Sequence, residues 1–156
     1  MTKIQALVVS AALAIGMTAP ASAATTDPEV IIYRFPGVRD EGAGNQVGIA
    51  TVIFCTDFSG ATETIRFATR TDQGTLVFNN TLNISHLATL TVYTHTPAAY
   101  AGFTMNTGLL NSGTTAIAAT STNIICTAMT IDAANPKPGG VALRGIRFSP
   151  VPGSQE

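Results

Sequence analysis

Nine short stretches rich in β-branched and aromatic residues run through the chain, separated by turn-forming residues. They are 29–35 (EVIIYRF), 47–57 (VGIATVIFCTD), 62–70 (TETIRFATR), 74–85 (GTLVFNNTLNIS), 87–95 (LATLTVYTH), 100–105 (YAGFTM), 114–120 (TTAIAAT), 122–132 (TNIICTAMTID) and 141–149 (VALRGIRFS). No window places apolar residues at i, i+3, i+4 and i+7 with caps at both ends, so helix is not expected. The breaks carry turn chemistry: Pro36-Gly37, Ser59-Gly60, Asp72-Gln73-Gly74, Asn79-Asn80, Asn111-Ser112-Gly113, and Asn135 through Gly140. Strands at this spacing predict an all-β fold, an antiparallel β-sandwich of about seven to nine strands.

Two of these stretches, "IATVIFC" and "NIICTAM", are apolar at both parities. A strand that is apolar on both faces belongs in the middle of a sheet with both sides covered. Each carries one cysteine, Cys55 and Cys126, and the chain has no others. If they lie in different layers, one inter-sheet disulfide joins them, worth roughly 4 kcal/mol on chain-entropy grounds. The immunoglobulin version of that plan needs a tryptophan packed on the bridge, and the chain contains none.

An oxidising compartment is needed for such a bridge, and the N-terminus predicts one. Lys3 precedes the apolar run "ALVVSAALAIGM" (6–17), and Ala21-Ser22-Ala23 offers an A-x-A cleavage pattern. That order reads as a secretory signal peptide over residues 1–23, leaving 24–156 as a single β-sandwich domain. The expected location is secreted or periplasmic, with no membrane span after cleavage; the apolar run is too short to cross a bilayer. The full chain has a net charge of −1, and loss of Lys3 makes it one unit more negative. Nucleic acid is therefore not an expected partner. A membrane β-barrel would need aromatic girdles, and aromatic residues are only 6%.

Charged residues are 11% of the sequence, below the usual quarter, yet arginines recur in a fixed setting. "IYRF" (32–35), "TIRF" (64–67) and "GIRF" (145–148) each place one arginine between two large apolar residues. Period-2 geometry turns Arg34, Arg66 and Arg70 away from the core. A bulge at Gly145 would put Val141, Leu143, Ile146 and Phe148 on a core face and turn Arg144 and Arg147 outward. Outward charges on strands ordinarily cover sheet surface. The sharper expectation is that Arg34, Arg66, Arg70, Arg144 and Arg147 converge on a polar or anionic ligand or envelope component.

Catalytic and cofactor motifs are not recognised. "PGVRDEGAGNQVG" (36–48) lacks the third glycine of G-x-G-x-x-G and reads as a surface loop. His86 and His95 are nine residues apart, on opposite faces of a regular strand, and are expected to be surface histidines without a shared metal. G-x-S-x-G is absent, and carboxylates such as Asp40, Glu41, Asp57 and Asp132 have no telling spacing. No catalytic residue, metal ligand or cofactor is assigned.

"IYRFPGVRD", "GIATVIFCTDFSG", "TETIRF", "TNIICTAMTIDA" and "GVALRGIRFSPVPGSQE" together resemble an uncharacterised group of short exported bacterial proteins. The resemblance spans nearly all of residues 24–156 and includes both cysteines; it implies export and a shared fold, and assigns no site residue. The leading expectation is a non-enzymatic exported binding or envelope-associated module. The alternatives are a fibre or surface-assembly subunit joined by strand addition, and a small secreted hydrolase.

Overall fold

The structure is a computed structural model and describes residues 29–42 and 44–148. The expected leader (1–23) and most of the tail "FSPVPGSQE" lie outside the described residues. Ten strands are present: β1 (Val30–Glu41), β2 (Ile49–Asp57), β3 (Glu63–Thr71), β4 (Leu76–Ile84), β5 (Thr89–Tyr93), β6 (Phe103–Thr104), β7 (Leu110–Ala119), β8 (Ile124–Asp132), β9 (Gly140–Leu143) and β10 (Ile146–Arg147). Every stretch expected as a strand forms one, and the last is divided in two.

The two separate layers of a sandwich do not form. One ten-stranded sheet runs in the order β4-β3-β7-β1-β2-β5-β6, with β8 also on β2, β9 on β8 and β10 on β1. It curls into a half-barrel. Continuity comes from the end of β1, where Asp40 pairs with Ala50 and Glu41 with Ile49, so the hairpin carries hydrogen bonding from one half to the other. Curvature comes from three register shifts in β1 against β7, at Ile31/Tyr33, Pro36/Val38 and Val38/Asp40. Pairing is antiparallel except for β5 with β6, which is parallel.

Strand β2 is the hub. Ile53 and Cys55 enter a core with Ile32, Phe35, Ile65, Phe67 and Ile117. Ala50, Val52 and Phe54 face a second cluster with Tyr93, Ile131 and Ala133. Tyr100 closes that side edge-on to Phe54, with ring centroids 5.2 Å apart. Apolarity at both parities is thus explained by two covered faces. β8 is different: Ile125 is exposed, so its first half has only one buried face.

The disulfide forms, but within one sheet. Cys55 and Cys126 are direct register partners on the antiparallel neighbours β2 and β8, with Cα atoms 4.1 Å apart. That separation is close to the narrow, non-hydrogen-bonded type of antiparallel pair. The bridge is a cross-strand link and not an inter-sheet staple, because both cysteine strands pair with each other.

Three expected turns lie inside strands. Pro36-Gly37 sits at a β1 bulge, Asn79-Asn80 in the middle of β4, and Asn111-Ser112-Gly113 at the start of β7. The loop expected over 36–48 shrinks to the connection after Glu41. There Gly48 has φ +68°, and a Cβ would lie 1.8 Å from the Glu41 carbonyl oxygen, so only glycine fits.

Residues 141–148 also depart from expectation: Val141 and Ile146 are exposed. The chain leaves β8 at Arg144-Gly145 and crosses to β1, so the two halves follow different partners and no common core face exists. Gly145 packs on the Phe35 ring, where a Cβ would lie 2.3 Å from Cε1.

The ends of the sheet approach each other through side chains. Phe78 of β4 meets Phe103 of β6 at 6.2 Å between centroids, and Thr69 Oγ1 lies 3.5 Å from Met105 Sδ. Their backbones do not pair among the described residues.

Candidate functional site

Register alone decides which arginines share a face. Directly opposed residues project to the same side of a sheet. Arg34 opposes Ala116, which opposes Ala68; Arg66 opposes Ala118 and Thr81; Arg70 opposes Thr114. The alternate residues of β3, Ile65, Phe67 and Thr69, are fully buried. Arg34, Arg66 and Arg70 therefore stand together on the solvent side, around a floor of Ala68, Ala116 and Ala118. From strand spacing and rise, their Cα atoms form a triangle about 12–13 Å on a side.

Their partners differ. Arg66 is half-buried and its Nε is 2.5 Å from Glu29 Oε2. Arg70 is exposed, and its Nη1 donates to the Gly74 carbonyl at 2.9 Å. Arg34 is exposed and lies over the Phe148 ring, 5.6 Å from its centroid. Among the described residues no carboxylate pairs with Arg34 or Arg70.

Arg147 does not join them. It opposes Tyr33, whose neighbours in register are Ile117 and then Phe67, so it takes the opposite parity. Its guanidinium lies over the Tyr33 ring at 5.8 Å, and Nη2 donates to the Thr122 carbonyl at 2.7 Å. Arg144 is exposed in the crossing between β9 and β10. The structure brings three of the five arginines onto one face and leaves two elsewhere.

A second constellation is buried. His95 is not a surface residue: it is 6% exposed, and Asp40 is 3% exposed. His95 Nδ1 lies 2.6 Å from Asp40 Oδ1, and Thr107 Oγ1 donates to Asp40 Oδ2 at 2.7 Å. Thr51 and Thr94 hold the adjoining backbone, both hydroxyls donating to the Arg39 carbonyl, at 2.9 and 3.1 Å. With Nδ1 engaged by the carboxylate, Nε2 is the ring's remaining hydrogen-bonding atom. Nε2 is buried and has no hydrogen-bond partner among the described residues. The pair has the geometry of the acid–imidazole half of a catalytic relay. With Nε2 shut away from solvent, its evident work is to tie the ends of β1 and β5 to the segment before β7.

The sequence carried a signal for this pair that the histidine spacing hid. Tyr93 and His95 share a parity, as do Val38 and Asp40, and Tyr93 and Val38 are buried. His86 is exposed, as expected, and its Nδ1 accepts from the Gly60 amide at 3.0 Å. Asp57 is buried and accepts from the Ser59 amide and hydroxyl, a local turn. No group of three or more His, Cys, Asp or Glu able to hold a metal occurs among the described residues. A shallow depression lined by Arg39, Ile49, Thr130, Asp132 and Val141 lies across the hairpin mouth, with the Arg39–Glu41 ion pair at its rim.

No protein-family model matches the sequence, and no curated protein matches it. Among solved structures, the crystal structure of Thermotoga maritima 1070 is similar, with a TM-score of 0.51. The match covers 74% of this chain and 93% of that one at 9% identity. At that identity the likeness is one of fold alone. The bridge fits an oxidising, extracellular-type environment, and no described helix is long and apolar enough to cross a membrane.

Proposed function

We propose that the protein is an exported, non-enzymatic binding module of the bacterial envelope or exterior, and that it takes a polar anionic ligand on the face carrying Arg34, Arg66 and Arg70. One observation carries this reading: two exposed arginines share a face with a third, and no described carboxylate neutralises either of them. The alanine floor leaves room above the sheet for a ligand, and guanidinium forks match carboxylate, phosphate and sulfate oxygens. The cross-strand bridge supports export, as does the signal-peptide pattern at the N-terminus.

The test is calorimetric titration of the oxidised protein with inorganic phosphate and with a sulfated oligosaccharide. Arg34→Ala and Arg70→Ala are each expected to weaken binding by ~10-fold, and added salt to weaken it further. Heat unchanged in both variants, or no binding by either probe, would sink the reading.

Assembly by strand addition is the second reading, and its specific support is the outer edge of β4, which among the described residues pairs with nothing. A hydrolase has only the Asp40–His95 pair in its favour, and that pair is sealed from solvent.

A further inference from the structure

The edges of this sheet are unequal. β6 and β10 are two residues long and β9 is four, too short to template much pairing. β4 is nine residues long and pairs, among the described residues, only with β3. Long edges of soluble proteins are ordinarily guarded by charge, proline or a bulge. "LVFNNTLNI" contains no charged residue and no proline, and its one irregularity falls at the Leu76 end. Phe103 of β6 meets the Phe78 ring, but among the described residues no backbone pairs with the outer edge of β4.

We propose that this edge is an assembly surface whose occupant is a second copy of the same chain, paired β4 to β4 in antiparallel register about Asn80. This rests on the strand-addition reading and gives it a closed, two-fold form. The argument is self-complementarity. Centred on Asn80, Phe78 opposes Leu82 twice, Asn79 opposes Thr81 twice, and Asn80 opposes its own copy, where each amide can donate and accept. A shift of the centre to Asn79 sets Phe78 against Asn80, and a shift to Thr81 sets Asn80 against Leu82. The Asn80 register pairs all nine residues of β4, Leu76 opposite Ile84 included, with Val77 opposite Asn83 as its one apolar–polar mismatch. Phe78 and Leu82 are half-buried against the core, so pairing extends an apolar surface already begun.

Charge does not oppose the contact. β4 carries none, and the nearest arginine on the solvent face, Arg66, lies one strand in and is paired with Glu29. Across the seam the two copies of Arg66 would be separated by three strand spacings, about 14 Å, beyond the screening length in physiological salt.

The test is sedimentation equilibrium of the full chain expressed for export and recovered oxidised, across a concentration series. A dimer is expected. Asn80→Lys, which sets two like charges face to face, is expected to raise its dissociation constant by at least ~10-fold. The position is exposed on an edge, so the fold should persist, and an unchanged melting curve for the monomer confirms that. Asn80→Cys is expected to yield a disulfide-linked dimer, whereas Asn83→Cys is not. A protein that stays monomeric throughout overturns both the dimer and the strand-addition reading, and leaves the arginine face untouched. A dimer indifferent to Asn80→Lys overturns the β4 seam. An open ladder of multimers overturns the two-fold form alone and returns assembly to head-to-tail strand addition.

Discussion

Asp40 accepts from His95 on one oxygen and Thr107 on the other, in a place that water does not reach. Asp40→Ala leaves both donors buried without a partner, and buried groups stripped of a charged partner are expensive. Unfolding of the oxidised protein in urea is expected to show a loss of about 3 kcal/mol. Gly145 offers a contrasting case, governed by space and not by charge. Its missing Cβ would press into the Phe35 ring, and Phe35 is itself fully buried, so the ring cannot swing aside freely. Gly145→Ala is expected to lower stability by about 1–3 kcal/mol through overpacking. Gly139→Ala, with nothing within 4 Å of the added atom, is the matched control and should stay within about 0.5 kcal/mol of the parent in the same assay.

At the scale of strands, the cross-strand bridge closes a loop of 71 residues on a pair already in nine-residue register. Replacing both cysteines by alanine should keep the circular dichroism spectrum of the sheet. Stability is expected to fall by roughly 4 kcal/mol, because the unfolded chain regains the loop. Strand existence was legible because it rests on local composition: alternation in "TETIRF" put Ile65 and Phe67 inside and Arg66 out, as found. Turn residues were less legible. Gly37, with φ +78°, serves a bulge and not a chain reversal, and Asn79-Asn80 sits on an edge that tolerates asparagine. Sheet continuity was not legible at all. It depends on the few pairs at Asp40–Ala50 and on bulges in β1, which are non-local choices with no mark in a window of sequence. The candidate site divides the same way: parity put Arg34, Arg66 and Arg70 outward, but only register could show that they share a face and that Arg147 does not.

For the whole molecule, β1 matters most in time. It is the first strand among the described residues, and its long partner is β7, with Val30 opposite Ala119. Synthesis runs from the N-terminus at about 5–20 residues per second, so β1 is made on the order of ten seconds before the strand that shelters it. Over that interval "VIIYRF", β-prone and apolar, lacks its described strand partners, because β1 meets β2 only at Asp40 and Glu41. Before β7 arrives, β2 can pair with β5 and β3 with β4 as two separate pieces, and β1 gains its long partner only with β7 and its last with β10. A half-barrel whose earliest described strand waits for β7 and β10 leaves an apolar, β-prone segment without its strand partners until most of the described chain has been made.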